Sequence, residues 1–409
     1  MKSITYREIE GRSAGYYALL GGLTLMLVMG LFSAHYMDVH GHVVTGMNNQ
    51  ILWGIPHVFA VFLIVAASGA LNVASIASVF GKSIYKPLAP LSGLLAIALL
   101  AGGLAILVLD LGRPERLIVA MTHYNFKSIF AWNVFLYTGF LAIVLVYLWT
   151  LMERRMQVYS KSVGTLAFLW RLLLTTGTGS IFGFLVAREA YDSALLAPMF
   201  VAFSFSYGLA VYTLVLMAIY DRTGWPLGDA LLLRLKNLQA IFIATALYFV
   251  LVYHLTNLYF TRLHGFERFL LVDGGVHTFL FWVGQILLGS VLPLILLFHP
   301  RFGKSRPLHA FSAVLVIVGG FAQMFVTIIG GQAYPLELFP GMLESSSFYD
   351  GVINSYAPSL PEIMLGMGGV AIAGVIVVFA IKILRFLPES LDNSVVDALP
   401  HDAPGVRNA

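Results

Sequence analysis

Residues 88–109 read LAPLSGLLAIALLAGGLAILVL, without a single charge, and residues 110–116 follow at once as DLGRPER. A helix of that length rises about 33 Å at 1.5 Å per residue, enough to cross a hydrocarbon core of roughly 30 Å. The pattern recurs. Apolar stretches lie at 14–34, 52–80, 129–151, 164–187, 194–219, 238–260, 276–298, 309–330 and 362–385. Barrel strands would be half as long and alternate in polarity. The reading is an all-α polytopic membrane protein with ten transmembrane helices. The first stretch follows Lys2, Arg7 and Arg12, yet it is longer than the 7–15 residues of a signal-peptide core, so it reads as a retained anchor.

Composition agrees. Of 409 residues, 59% are apolar and 11% charged, and the mean hydropathy is +0.86. A soluble domain has about 45–50% apolar and 25% charged residues. A soluble enzyme, a disordered chain and a nucleic-acid binder are excluded. The net charge is only +4. With no cysteine, the protein holds no disulfide, no Cys-ligated iron–sulfur cluster and no c-type haem. A redox role would have to use His-ligated haem, a quinone, or cofactors in a partner protein.

Lysine and arginine set the orientation. Seventeen fall on the side of the N-terminus, in the groups around Lys2, Lys82, Arg154, Arg222, Arg301 and Lys382, and six on the other: Arg113, Arg116, Lys127, Arg188, Arg262 and Arg268. Both termini are therefore expected in the cytoplasm. The outer side collects eleven acids, Asp38, Asp110, Glu115, Glu189, Asp192, Glu267, Asp273, Glu337, Glu344, Asp350 and Glu362, and eight histidines, among them His42, His57, His123, His254 and His277. Local chemistry belongs at that mouth.

Three places there carry candidates. Asp110 closes the third span with Arg113 close by, and the bland reading is a solvated Asp110–Arg113 pair. The segment then runs through His123, Tyr124 and Lys127 to Trp132 and Asn133. The fifth span is expected to end in Arg188-Glu189-Ala190-Tyr191-Asp192, where helical spacing puts Arg188 and Asp192 on one face. Glu189 is then left over as a proton-handling candidate. The second span opens Trp53-Gly54-Ile55-Pro56-His57. Pro56 suits a first helical turn, which sets His57 about a turn below the surface. The bland reading there is a plain core histidine.

The sequence repeats internally. Arg188-Glu189-Ala190-Tyr191 closes the fifth span and Gly331-Gln332-Ala333-Tyr334 the ninth; Leu111-Gly112-Arg113-Pro114-Glu115-Arg116 follows the third and Leu263-His264-Gly265-Phe266-Glu267-Arg268 the seventh. Two parallel four-helix units follow, flanked by the first and last spans. The expected division is 1–51 (segment and flanking helix), 52–193 (first unit), 194–335 (second unit), 336–385 (outer loop and flanking helix) and 386–409 (tail). Only the first unit keeps the charged set and His57; Gln332 replaces Glu189 in the second.

Asp110-Leu111-Gly112-Arg113-Pro114 at an outer helix end, with Ser128 and Trp132 opening the next span and Ile329-Gly330-Gly331-Gln332 closing the ninth, resembles the NrfD/PsrC family of quinone-reactive membrane subunits. The longer strings 125–133 and 187–192 are similar to its DsrP branch, the membrane subunit of the DsrMKJOP complex of sulfur-metabolising bacteria. The resemblance covers all ten spans. It implies a bacterial or archaeal cytoplasmic membrane subunit that carries no metal or haem and binds menaquinone or ubiquinone at the outer side of the first unit. It also implies electron exchange with a periplasmic, ferredoxin-like iron–sulfur subunit, beside a multihaem cytochrome c and a further membrane subunit. His57 matches the histidine that contacts quinone in the polysulfide reductase relative. Trp53 stands where that relative has Asn. Its span-5 Tyr has no match at depth, although Tyr191 lies close.

Such chemistry suits these residues. His57, Glu189 and Asp110 are the expected catalytic set: a neutral imidazole donates to one quinone carbonyl, and a carboxylate of raised pKa handles a second proton. Trp53, His57, His123, Tyr124, Trp132, Arg188, Tyr191 and Arg113 are the expected binding set, with both arginines orienting carboxylates. The outer loops 110–128, 188–194, 261–275 and 331–361 are the expected dock for the iron–sulfur subunit. The last carries three acids, no Lys or Arg, and Phe339, Phe348, Tyr349 and Tyr356. Two other readings stand: a polytopic carrier, against which the apolar midplanes weigh, and a haem b protein ligated by His57 and His254. Thr175, Thr176, Thr178, Ser180, Gln323 and Thr327 could start a hydroxyl wire, although helix-packing hydroxyls are the commoner case.

Overall fold

The computed structural model describes residues 4–336 and 351–394. Nine of its helices are long and apolar enough to cross a membrane. We number them with one further long helix in chain order: α1 Ala14–His40, α2 Ile55–Ser78, α3 Ser83–Leu109, α4 Ile129–Met152, α5 Ser160–Gly183, α6 Leu196–Thr223, α7 Asp229–Tyr259, α8 Val276–Phe298, α9 Arg306–Ala333 and α10 Leu360–Ile383. The further helix is α5, which carries Arg171 and several hydroxyl side chains that dilute its apolar character. The protein is a polytopic membrane protein.

Burial sorts the helices. In its most apolar window α2 is 83% buried, whereas α1 is 17% buried. Phe32, Leu251, Trp282 and Ile295 on α1, α7 and α8 are large, apolar and exposed, as lipid-facing positions must be. α2 packs on α3, α3 on α4, α4 on α5, and α5 back on α2, closing one ring. α6, α7, α8 and α9 close a second ring in the same order. α2 and α6 join the rings, α9 also meets α2, and α10 packs on α1, α2 and α3. Gly69 and Gly208 make the α2–α6 crossing possible: a Cβ at Gly69 would collide with the Ser204 carbonyl oxygen, and one at Gly208 with the Gly69 backbone. Small residues let helix backbones approach this closely in membranes.

Tyr6–Arg7 and Leu387–Pro388 pair as a two-stranded antiparallel ribbon, and Leu391 bridges to Leu227. Both described ends of the protein thus lie at one end of the bundle, with the basic groups around Lys382 and Arg306. The opposite end, to which the lysine and arginine count assigns the outer side, carries the acids and histidines.

The expected fifth span needs correction. α5 stops at Gly183 rather than 187, and residues 184–193 form turns. Tyr191 is the cause. It is buried, and its hydroxyl donates to the Ile328 carbonyl on α9 at 2.7 Å, so the backbone must leave the helix to deliver it. Arg188 and Asp192 therefore share no helical face. α1 runs the other way from its expectation, continuing past 34 to His40, where Gly41 at φ +75° ends it.

Candidate functional site

Asp110 ends α3, its N–H bonded to Ile106 O at 2.9 Å. Its side chain is almost wholly buried between two imidazoles: His57 Nδ1 lies 3.2 Å from Oδ2, and His42 Nε2 lies 3.6 Å from Oδ1. His42 Nε2 also contacts the Asp110 carbonyl at 3.0 Å. The hydrogen bond and charge of Asp110 raise the His42 pKa against the opposing effect of burial. His57 Nδ1 and both Asp110 carboxylate oxygens are buried without an aligned hydrogen bond. This is a close histidine–carboxylate contact with hydrogen-bonding capacity left over.

His57 is placed by the entry to α2. Pro56 occupies the first turn and leaves no N–H to satisfy. Trp53, just before it, stacks on His57 with ring centroids 6.2 Å apart and meets Phe182 of α5 and Phe130 of α4 edge-on at 5.7 and 6.2 Å. Gln332 of α9 fixes that Trp. Its Oε1 accepts from the N–H groups of Leu52 (2.9 Å) and Trp53 (3.0 Å), and its Nε2 donates to the Trp53 carbonyl (3.0 Å). The two halves of the internal repeat thus meet. Arg188 adds to the seam by donating to the carbonyls of Gln332 (3.1 Å) and Gln50 (2.8 Å).

A second carboxylate stands beside the site. Glu362, fully buried, caps α10: Oε2 accepts from Gly46 N and Ser359 N, and Oε1 accepts from the Tyr356 hydroxyl at 2.6 Å. That hydroxyl also accepts from Ile55 N at 2.7 Å. A Cβ at Gly54 would collide with Glu362 Oε1, so only glycine admits this approach. Burial, then Glu362 itself, pushes the Tyr356 phenol well above its usual range and keeps it a donor. His42, Tyr356 and Glu362 were absent from the expected site. Only the Ser359-Leu360-Pro361-Glu362 capping-box spacing hinted at one of them.

The structure brings His57, Asp110 and Trp53 together. The remaining candidates are scattered. Arg113 is exposed and forms no ion pair with Asp110 among the described residues, so the expected Asp110–Arg113 pairing is replaced by two histidines. Arg188 holds carbonyls rather than a carboxylate, and Asp192 pairs instead with Arg262 at 2.9 Å. Tyr191 sits against Phe182 with its hydroxyl turned to Ile328. His123 is exposed against Thr122, Tyr124 stacks on Phe135, and Trp132 is exposed with Nε1 bonded to the Phe126 carbonyl. These three form a rim remote from Asp110 in their contacts. Glu189 is half-buried in the turn after α5, with Oε2 shielded from solvent. Glu337, Glu344, Asp350, Phe339, Phe348 and Tyr349 of the expected dock lie outside the described residues.

The histidines invoked for a haem are engaged separately: His57 faces Asp110 in one ring, and His254 faces Glu267 Oε2 at 2.8 Å in the other. Among the described residues no three His, Asp or Glu side chains cluster to hold a metal. The hydroxyls of α5 pack helices: Thr175 bonds Ser68 and the Arg171 carbonyl, and Thr178 bonds the Leu174 carbonyl.

Residues 43–335 match the family described as Polysulphide reductase, NrfD. An Hdr-like menaquinol oxidoreductase integral membrane subunit of Archaeoglobus fulgidus is 30% identical over 97% of this protein and 100% of its own length. A selenate reductase subunit of Mesobacillus selenatarsenatis is 24% identical over 88% of this protein and 92% of its own length. A polysulfide reductase chain of Wolinella succinogenes is 24% identical over 70% and 96%.

Proposed function

The chain belongs to the NrfD polysulphide reductase family, and from that premise we propose that it is a quinone-reactive subunit of a respiratory complex. In this reading it has ten spans with both termini in the cytoplasm, and residues 52–193 form the reactive unit. It exchanges electrons between membrane menaquinone or ubiquinone and a ferredoxin-like iron–sulfur subunit docked on the outer face. A multihaem cytochrome c and another membrane subunit complete a complex serving sulfur metabolism, as in the DsrP branch.

The observation that carries this reading is the Asp110 carboxylate set between His57 and His42, with Trp53 stacked on His57 and Phe130 and Phe182 edge-on to Trp53. The residues fit a quinone: aromatic rings stand next to a half-buried imidazole, whose Nδ1 is shielded, and a buried carboxylate with hydrogen-bonding capacity left. His57 and Trp53 would hold it. When bound, the quinone supplies two-electron chemistry coupled to two protons. His57 donates or accepts one hydrogen at its ring, and Asp110 fixes the orientation and charge of that ring. His42 holds Asp110 from the other side. Glu189, in the turn beside the Arg188 clamp, takes the second proton. Gln332 keeps Trp53 in register without titrating.

Quinol-driven reduction of the partner's clusters in membranes tests it. His57→Leu should abolish turnover and weaken quinone binding. Glu189→Gln keeps shape and should slow turnover about 10²–10⁴-fold with binding intact. Wild-type rates in both would overturn the site.

A further inference from the structure

Beneath the 188–191 turn, in the second ring, lies a cavity of about 20 Å³, counted as room for the centre of a water molecule. By that measure about 10–15 Å³ admits one water. The space takes a water or two and is far too small for a quinone ring. His254 and Tyr253 of α7 and Gln323 and Thr327 of α9 supply its polar wall; Met199 of α6 and Ala190 lie on the apolar side.

Each polar group leads somewhere. His254 Nδ1 is 2.8 Å from Oε2 of Glu267, which is fully buried, and Asn257 Nδ2 donates to Oε1 at 2.8 Å. Gln323 Nε2 donates to Thr327 Oγ1 at 2.9 Å. The Tyr253 hydroxyl donates to the carbonyl of Ala190, next to Glu189, at 2.6 Å. The cavity therefore spans from the turn that carries Glu189 to a buried histidine–carboxylate pair.

The surrounding helices are locally widened. π-turns occur at Phe269–Asp273, Leu280–Val291 and Val326–Gly330, all in the second ring or its outer loop. Leu270 from the first, with Val326 and Thr327 from the last, lines the cavity. Such turns are rare and concentrate at functional sites. Gln285, in the middle one, has both amide atoms buried without a protein partner, and His277 Nδ1 is in the same position. Buried polar groups of this kind are normally satisfied by internal water.

We propose that the second ring holds a water-borne proton relay, in which the His254–Glu267 pair exchanges protons through this cavity with the turn carrying Glu189. The accepting Glu267 carboxylate fixes the proton of His254 on Nδ1 and leaves Nε2 as the acceptor. A cavity water gives one proton to Nε2 and takes one from the Glu189 side, so that it stays water, while the Nδ1 proton passes to Glu267 Oε2. The products are a neutral imidazole of the other tautomer and a neutral carboxyl. Glu267 itself is fully buried on the short helix His264–Arg268, whose His264 and Arg268 are exposed, so the proton has still to cross that helix to reach the outer surface. Its release and return of the tautomer reset the pair. The relay's role in turnover rests on the quinone reading; its water does not.

Radiolytic footprinting separates the two. Hydroxyl radicals generated from water oxidise methionines that touch water. Met199 lines the cavity, whereas Met324 and Met37, equally buried, do not. In the full-length protein in nanodiscs, Met199 should be oxidised at least about tenfold faster than either, and Thr327→Leu, which fills the cavity, should bring it to their rate. A Met199 as protected as Met324 overturns the proposal. In the assembled complex, Glu267→Gln and Thr327→Leu should each slow quinol-driven electron transfer about 10²-fold with quinone content unchanged, and Thr327→Ser should not. Wild-type rates in both slow variants overturn the relay even if Met199 is wet. If the unaltered complex oxidises no quinol, the functional reading and the relay's role in turnover fail together, and protection or oxidation of Met199 decides the water in the cavity.

Discussion

Replacing Gln332 with leucine tests how the seam between the rings controls the site. Gln332 is 2% exposed, and its amide serves three backbone groups at the entry to α2: Leu52 N, Trp53 N and Trp53 O. Leucine matches its bulk and serves none. Each buried backbone group left without a partner costs about 1–3 kcal/mol. Part of that is recovered if the 50–53 segment moves outward to water, so the expected loss is about 3–6 kcal/mol. For a protein of this length about 1–2 °C accompanies each kcal/mol, so the apparent melting temperature should fall by roughly 3–12 °C. The assay is thermal unfolding in detergent, with indole fluorescence read alongside because Trp53 leaves the His57 and Phe182 rings. Gln332→Glu supplies the control: the acceptor for Leu52 and Trp53 is retained, but a donor facing Trp53 O and Ile328 O is lost, so it should fall between leucine and wild type. A Gln332→Leu protein that melts within about 1 °C of wild type, with unaltered fluorescence, would refute the account of how Trp53 is held.

Three further outcomes are expected. His42 has a raised pKa, so its stabilisation is complete below the unfolded value of about 6.5 and is lost as pH rises through the folded value; the melting temperature should decline over that window and lose this component in His42→Gln. Gly69→Val should cost about 3 kcal/mol or more and reduce the amount of folded protein in the membrane, because the side chain would meet the Ser204 carbonyl at the α2–α6 crossing; Gly21→Val on α1, with no atom near its Cβ, is the comparison that should accumulate normally. A topology reporter fused after Arg385 should be active on the cytoplasmic side only, and activity confined to the periplasm would reverse the orientation.

Apolar length made the helices legible, because a charge-free run of twenty residues has one stable solution in lipid. Their ends were less so. Leu185, Val186 and Ala187 continue the apolar character of α5, and only the distant anchor of Tyr191 on Ile328 shows why the helix stops before them. The level of Asp110 and His57 was readable from their distance to the helix ends. Their pairing was not: Arg113 lies three residues away in sequence, whereas the actual neighbours come from the α2 entry and from His42, 68 residues upstream. Short-range charge patterning favours the sequence neighbour, and packing overrode it. Glu362 was hidden for a similar reason. Its site contact runs through Tyr356 and Gly54, and a glycine's role in close approach shows only when the neighbour is in place.

The ribbon at the inner end bears on how the protein is made. Tyr6 and Arg7 leave the ribosome long before Leu387 and Pro388; the Arg7–Glu389 contact spans 382 positions. No other strand is paired with Tyr6–Arg7 among the described residues. Until the tenth helix is inserted, that strand has nothing to bind. Helices packed on sequence neighbours can assemble during synthesis, but closure of such a distant contact must wait until Leu387 and Pro388 have been made. The same tail reaches Leu227 between α6 and α7, so its arrival also ties the second ring to the N-terminal segment. A polypeptide that stalls or is truncated before Leu387 keeps its helices yet leaves this fastening open, with free strand edges that quality-control proteases can find.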